Sequence, residues 1–117
     1  MADKTLTMTM LFDFFGDLLT EKQRLYFDLY YNEDLSLSEI AEQCGISRQG
    51  VRDNIIRAEN ILLGIEHKTG ILYRFNNLQS GLTFLEEETT WLSEHCTSSE
   101  MQDHLKKMTQ KIQELKG

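Results

Sequence analysis

The chain contains no proline. Each proline inside a helix would cost about 3 kcal/mol, so the absence leaves long helices free to form. It has only two cysteines, Cys44 and Cys96, which is too few for a disulfide framework and fits a reducing cytosol. No apolar run approaches the roughly 20 residues of a membrane-spanning helix, and the first residues lack the basic-then-apolar plan of a secretion signal. Secretion and membrane partnership are therefore not expected, and a cytoplasmic location is. Positive charge is also scarce: 12 Lys and Arg stand against 19 Asp and Glu, a net charge of −7. Free-standing nucleic-acid binders present a basic face, because neutralised phosphates supply most of their affinity. Any such face must be local here.

What is present is helical patterning over 117 residues, about one domain's worth of chain. Leu6, Met10, Leu11, Phe14, Phe15 and Leu18 recur at threes and fours and predict a first amphipathic helix that stops between Gly16 and Leu19. Thr20 reads as the cap of a second helix, with Glu21 favourably placed in its first turn. Leu25, Tyr26, Leu29 and Tyr30 supply its apolar face, and Asn32-Glu33-Asp34 breaks it. Ser36 or Ser38 caps a short third helix carrying Ile40, Ala41 and Cys44, and Gly45 ends it with positive φ. Ser47 caps a fourth, on which Val51, Ile55, Ala58 and Leu62 mark one face.

Beyond Gly64 and Gly70, a soft spot that predicts a bend or hinge, the pattern changes. Phe75, Leu78, Leu82, Leu85, Thr89, Leu92 and Cys96 form a heptad seam with Gly81 as an interruption. Thr97-Ser98-Ser99 turns the chain, Ser99 to Gln102 matches a capping box, and Met101, Leu105, Met108, Ile112 and Leu115 form a second seam. The expected architecture is all-α: a helix-turn-helix head over residues 1–66 and a C-terminal helical hairpin over 71–117. The hairpin's seams close on each other within one chain or on a second copy, and we expect a homodimer through the C-terminal helices.

The most informative run is residues 37–52, Leu-Ser-Glu-Ile-Ala-Glu-Gln-Cys-Gly-Ile-Ser-Arg-Gln-Gly-Val-Arg. Two helices crossing steeply need a small residue at their contact, here Ala41, and a permissive turn residue, here Gly45. Ile40, Ile46 and Val51 plug the angle. Ser47 then caps a helix whose first residues, Arg48, Gln49 and Arg52, are the types that read base edges: Arg pairs bidentately with guanine and Gln with adenine. Arg57, further along, suits a phosphate. These five are the candidate nucleic-acid-binding residues. Asp53 and Arg57 stand at i, i+4 and can instead pair on the surface, and many helix-turn-helix modules bind protein.

Leu19-Thr20-Glu21-Lys22-Gln23 with Leu29-Tyr30-Tyr31, followed by the run above, resembles region four of bacterial sigma factors. More closely, residues 6 to about 63 resemble the YlxM family, whose Ser-Arg-Gln-x-Val-x-Asp-x-Ile pattern appears as Ser47 to Ile55 and whose Arg-x-Glu appears as Arg57-Ala58-Glu59. The resemblance implies a small bacterial cytoplasmic protein with a regulatory or RNA-linked role in the signal recognition particle pathway. Its partners would be DNA or RNA, or components of that particle. The alternative is a protein-binding adaptor that modulates a partner such as the particle's GTPase without reading nucleic acid.

Other chemistry is not indicated. His67, His95 and His104 are scattered, and adjacent His95 and Cys96 point about 100° apart on a helix, so no metal site is expected. Glu86-Glu87-Glu88 fans around its helix and reads as a solvated face. Tyr26, Tyr30 and Tyr31 could stack on bases, but their helical spacing reads first as core or core edge. Neither cysteine has a positioned base in the sequence pattern. No glycine loop or catalytic triad is visible, so an enzyme and a cofactor are not expected.

Overall fold

A computed structural model describes residues 4–117. The order is α1 (Lys4–Phe15), a 3-10 turn (Gly16–Leu18), α2 (Glu21–Tyr31), α3 (Leu37–Cys44), α4 (Arg48–Thr69), α5 (Ile71–His95) and α6 (Ser99–Lys116), with no strand among the described residues. Contacts divide the chain after residue 72 into two compact units. No described helix is long and apolar enough to cross a membrane.

In the first unit, helix starts are fixed by local chemistry. The Gln23 backbone N–H donates to the Thr20 hydroxyl at 3.2 Å while the Thr20 N–H donates to the Gln23 side chain at 3.0 Å. Such reciprocal boxes satisfy two of the free amides at a helix start. Ser36, not Ser38, does the same for α3: the Glu39 N–H donates to its Oγ at 3.1 Å, and the Ser36 N–H donates back to Glu39 Oε1 at 3.0 Å. Between α2 and α3, Asp34 adopts φ +58°, a left-handed conformation that short polar side chains tolerate.

Burial departs from the sequence pattern in α1 and α2. Met8, Leu11 and Phe15 face the core, while Leu6, Phe14 and Leu18 are exposed. The helix is apolar on most of its circumference, so periodicity alone does not select the packed side. In α2 the buried pair is Tyr26 and Phe27, and Leu25 is exposed. Phe27 is drawn in by a parallel stack on Phe12, with ring centroids 4.8 Å apart, and a second ring contact with Tyr31 at 4.5 Å. These join Ala58 and Leu62 of α4 and Leu72 in one cluster, and Tyr26, Ile40, Val51 and Ile55 form another. Of the soft spot expected at Gly64 and Gly70, α4 is continuous through Gly64, and Gly70, at φ +63°, ends the helix.

The second unit is a hairpin. Gln102 at the start of α6 donates its side-chain amide to the Ser93 and Cys96 carbonyls at 2.6 and 2.8 Å. At the other end, Lys116 reaches Glu86 at 3.1 Å, and Gln79 donates to the Lys116 carbonyl at 3.4 Å. The two helices therefore run antiparallel, with Leu82, Thr89, Leu105 and Ile112 buried between them. Two expectations are corrected here. α5 runs unbroken from Ile71 through Gly81. The α6 cap is Ser98, whose Oγ accepts from the Met101 N–H at 3.3 Å. The Ser99–Gln102 box does not form, because the Gln102 amide is recruited by the Ser93 carbonyl, in the last turn of α5, and by the Cys96 carbonyl just beyond it.

Candidate nucleic-acid interface

The corner between α3 and α4 is sharp. Gly45 sits at φ 69°, ψ 32°, and its N–H and that of Ile46 both donate to the Ala41 carbonyl, at 3.0 and 3.2 Å. A side chain at Gly45 would meet no neighbour, so the left-handed backbone alone requires glycine there. Ile40 and Val51 are fully buried inside the angle, and Ile46, Ala41 and Cys44 are half-buried against them. Ser47 then caps α4, its Oγ accepting from the Gly50 N–H at 3.0 Å.

Burial of Val51, Ile55, Ala58 and Leu62 turns the opposite face of α4 outward. Ser47, Arg48, Gln49, Arg52 and Arg57 are all exposed. Arg48, Gln49 and Arg52 share the first two turns. Arg57 lies about 7.5 Å further along the axis and about 140° round from Arg52, so it stands apart from that group.

The acidic neighbours are occupied elsewhere. Asp53, whose i, i+4 spacing also allowed a pair with Arg57, accepts from the Gln49 amide at 2.9 Å. Glu59, two residues from Arg57, accepts the Tyr31 hydroxyl proton and lies 3.7 Å from the Lys4 ammonium. Among the described residues no carboxylate forms an ion pair with Arg48, Arg52 or Arg57.

The helix starts make the same contrast. α2, α3 and α6 each carry a glutamate in the first turn, namely Glu21, Glu39 and Glu100. α4, like α1 and α5, carries no acid there, and it opens with Arg48. An acid is the residue that stabilises that end of a helix dipole, whereas an arginine adds to its positive potential. The corner therefore presents free backbone amides and guanidinium groups together, a combination that attracts anions. At the far end of α3, the Glu39 carboxyl is held below its ordinary range by the Ser36 backbone N–H and then by the Ser36 hydroxyl.

The other groups singled out from the sequence do not assemble. Tyr26 is buried, Tyr31 half-buried, and Tyr30 is set edge-on to Tyr31 at 5.2 Å. His95 stacks on Trp91 at 4.0 Å. Glu86 pairs with Lys116 while Glu87 and Glu88 are exposed. No metal-ligating cluster occurs among the described residues. The Tyr31–Glu59–Lys4 group was not foreseen; its members come from three different helices, and no local motif announces it.

Residues 2–104 match the UPF0122 family model, described as "Putative helix-turn-helix protein, YlxM / p13 like". The match carries the likeness well past residue 63, into α6. A UPF0122 protein of Halalkalibacterium halodurans is 48% identical over 101 residues, which is 86% of this chain and 90% of the relative. One from Thermoanaerobacter sp. is 39% identical over 115 residues, 98% of each chain. One from Bacillus cereus is 52% identical over 79 residues, 68% of this chain and 72% of the relative.

Proposed function

As the chain belongs to the YlxM / p13-like family of helix-turn-helix proteins, we propose that it is a nucleic-acid-binding regulatory protein. Arg48, Gln49 and Arg52, set by the Ser47 cap, meet DNA or RNA, and Arg57 makes an outlying phosphate contact. The observation that carries this reading is the opening of α4, where exposed arginines with no carboxylate partner among the described residues follow the Ser47 cap and no acid stands in the first turn. The protein acts in the cytoplasm, in the signal recognition particle pathway, and it does so as a homodimer through the C-terminal helices. Its work is recognition, with no catalytic step or cofactor.

A salt titration tests the proposal. Binding to duplex DNA and to structured RNA should weaken steeply with ionic strength. Each phosphate contact adds about −0.9 to the logarithmic slope on duplex DNA, the share expected of Arg57. A second reading, an adaptor that modulates a protein such as the particle's GTPase, is favoured by the net charge of −7. A flat response to salt, with binding retained by the protein partner, would select it.

A further inference from the structure

The hairpin uses only part of its seven-residue apolar repeat. Leu82, Thr89, Leu105 and Ile112 are buried, while Leu78, Leu85 and Leu92 on α5 and Met101, Met108 and Leu115 on α6 are between 47% and 61% exposed. The two outer rows lie on the same side. Leu92 and Met101 line one hollow with Leu105 and Cys96, and the antiparallel register set by Gln102 and Lys116 brings Leu85 level with Met108 and Leu78 level with Leu115. Each row repeats at seven residues, roughly 10.5 Å along its axis. Together they expose on the order of 500 Å² of apolar surface, in the range that marks an interaction site.

We infer that this face is covered by a second copy of the chain, giving a four-helix bundle in which α5 of each copy lies over α6 of the other. The inference rests on the pairing proposed above only for the identity of the partner. Two arguments select it. Knobs-into-holes packing needs facing helices with the same repeat, and a two-fold copy of this face supplies it without any other sequence. The charges at the border of this face are also complementary across helices: Glu88 stands there on α5 and Lys111 on α6. Stacking α5 on the other copy's α5 would set like charges together, whereas crossing α5 over α6 pairs them. Glu88 and Lys111 border the apolar rows on their respective helices by helical phase, and among the described residues Lys111 is engaged along its own helix with Glu114, at 3.1 Å. The apolar part alone, on the order of 500 Å², supplies more than half of the roughly 800 Å² per partner of a standard stable interface.

Sedimentation equilibrium of the full chain at micromolar concentration tests this. The protein should run at twice its chain mass of 13.7 kDa. Leu85→Glu with Met108→Glu should return it to the chain mass while circular dichroism shows unchanged helicity. Should that variant lose helicity, Leu85→Gln with Met108→Gln gives the same readout with a milder change. Glu88→Lys should weaken association at least tenfold, and adding Lys111→Glu should restore it. A monomeric wild type overturns both the face and the pairing. A dimer that survives both the glutamate and the glutamine pairs overturns the face and leaves the pairing standing. Failure of Lys111→Glu to rescue Glu88→Lys overturns the crossed arrangement. Salt dependence of nucleic-acid binding is measured separately and does not enter these outcomes.

Discussion

The Tyr31 hydroxyl of α2 donates to a carboxylate oxygen of Glu59 on α4. Desolvation, then the hydrogen bond and charge of Glu59, raise the Tyr31 pKa above its ordinary 10.0. Tyr31→Phe leaves a half-buried carboxylate facing the exposed Lys4, and should lower stability by about 1.5–3 kcal/mol near neutral pH, the loss typical of a hydrogen bond to a charged group. The sign with pH follows from the raised value: the tyrosine's contribution is fully present below 10.0 and declines as pH rises beyond it. Denaturant melts of both proteins, near pH 7 and above pH 10, should show wild type losing its advantage in alkali.

Glu39 gives the opposite limb. Its lowered pKa means that the unfolded chain binds the proton more readily, so its contribution to stability is present above the ordinary value of 4.5 and is lost as pH falls through the depressed one. Acid should therefore loosen the start of α3. Glu39→Gln keeps an acceptor for the Ser36 N–H and has no proton to take up, so its stability in melts taken from neutral pH down below pH 4.5 should fall less steeply than that of wild type.

Arg48 sets stability against binding. Arg48→Glu places an acid where the helix dipole favours one and should raise stability by about 0.3–1 kcal/mol, while nucleic-acid binding collapses. Arg52→Ala should weaken binding by about 1–3 kcal/mol. Arg57→Ala should weaken it uniformly across sequences and make the salt slope shallower by about 1. Thermal melts and fluorescence anisotropy on the same samples separate the two effects. Gain or loss of both together would contradict the assignment.

The glycines divide by backbone, not by space. A methyl group at Gly64, Gly70 or Gly81 meets nothing within 4 Å. Gly64 and Gly81 lie inside helices, so alanine at either should raise stability by about 0.8–1 kcal/mol. Gly70 sits at φ +63°, and alanine there should be destabilising by about 1 kcal/mol. Calorimetry of the three variants checks the contrast in sign.

Much of the head could be read from sequence because its decisive contacts are local. Thr20, Ser47 and Gly45 act on amides and carbonyls within four residues, and their roles follow from residue type and position. The exposure of Arg48, Gln49 and Arg52 followed in turn from the buried phase of Val51 and Ile55. What escaped was decided at long range. Met8 and Phe27 are chosen by the shape of the packed core, in segments whose apolar residues do not single out one face. Gln102 abandons its own helix start for carbonyls six and nine residues away. Whether Asp53 and Glu59 would neutralise the arginines depended on Gln49, Tyr31 and Lys4, and no spacing rule ties Glu59 to residues on two other helices.

The arginine corner belongs to a chain whose overall sign is negative. At distances beyond the local charges, a polyanion meets net repulsion, and attraction begins only when the corner happens to face it. Encounters are thus filtered by orientation before any bond forms. Added salt first screens the distant repulsion and only then the close grip, so over the low range of ionic strength docking should quicken even as the docked complex becomes shorter-lived.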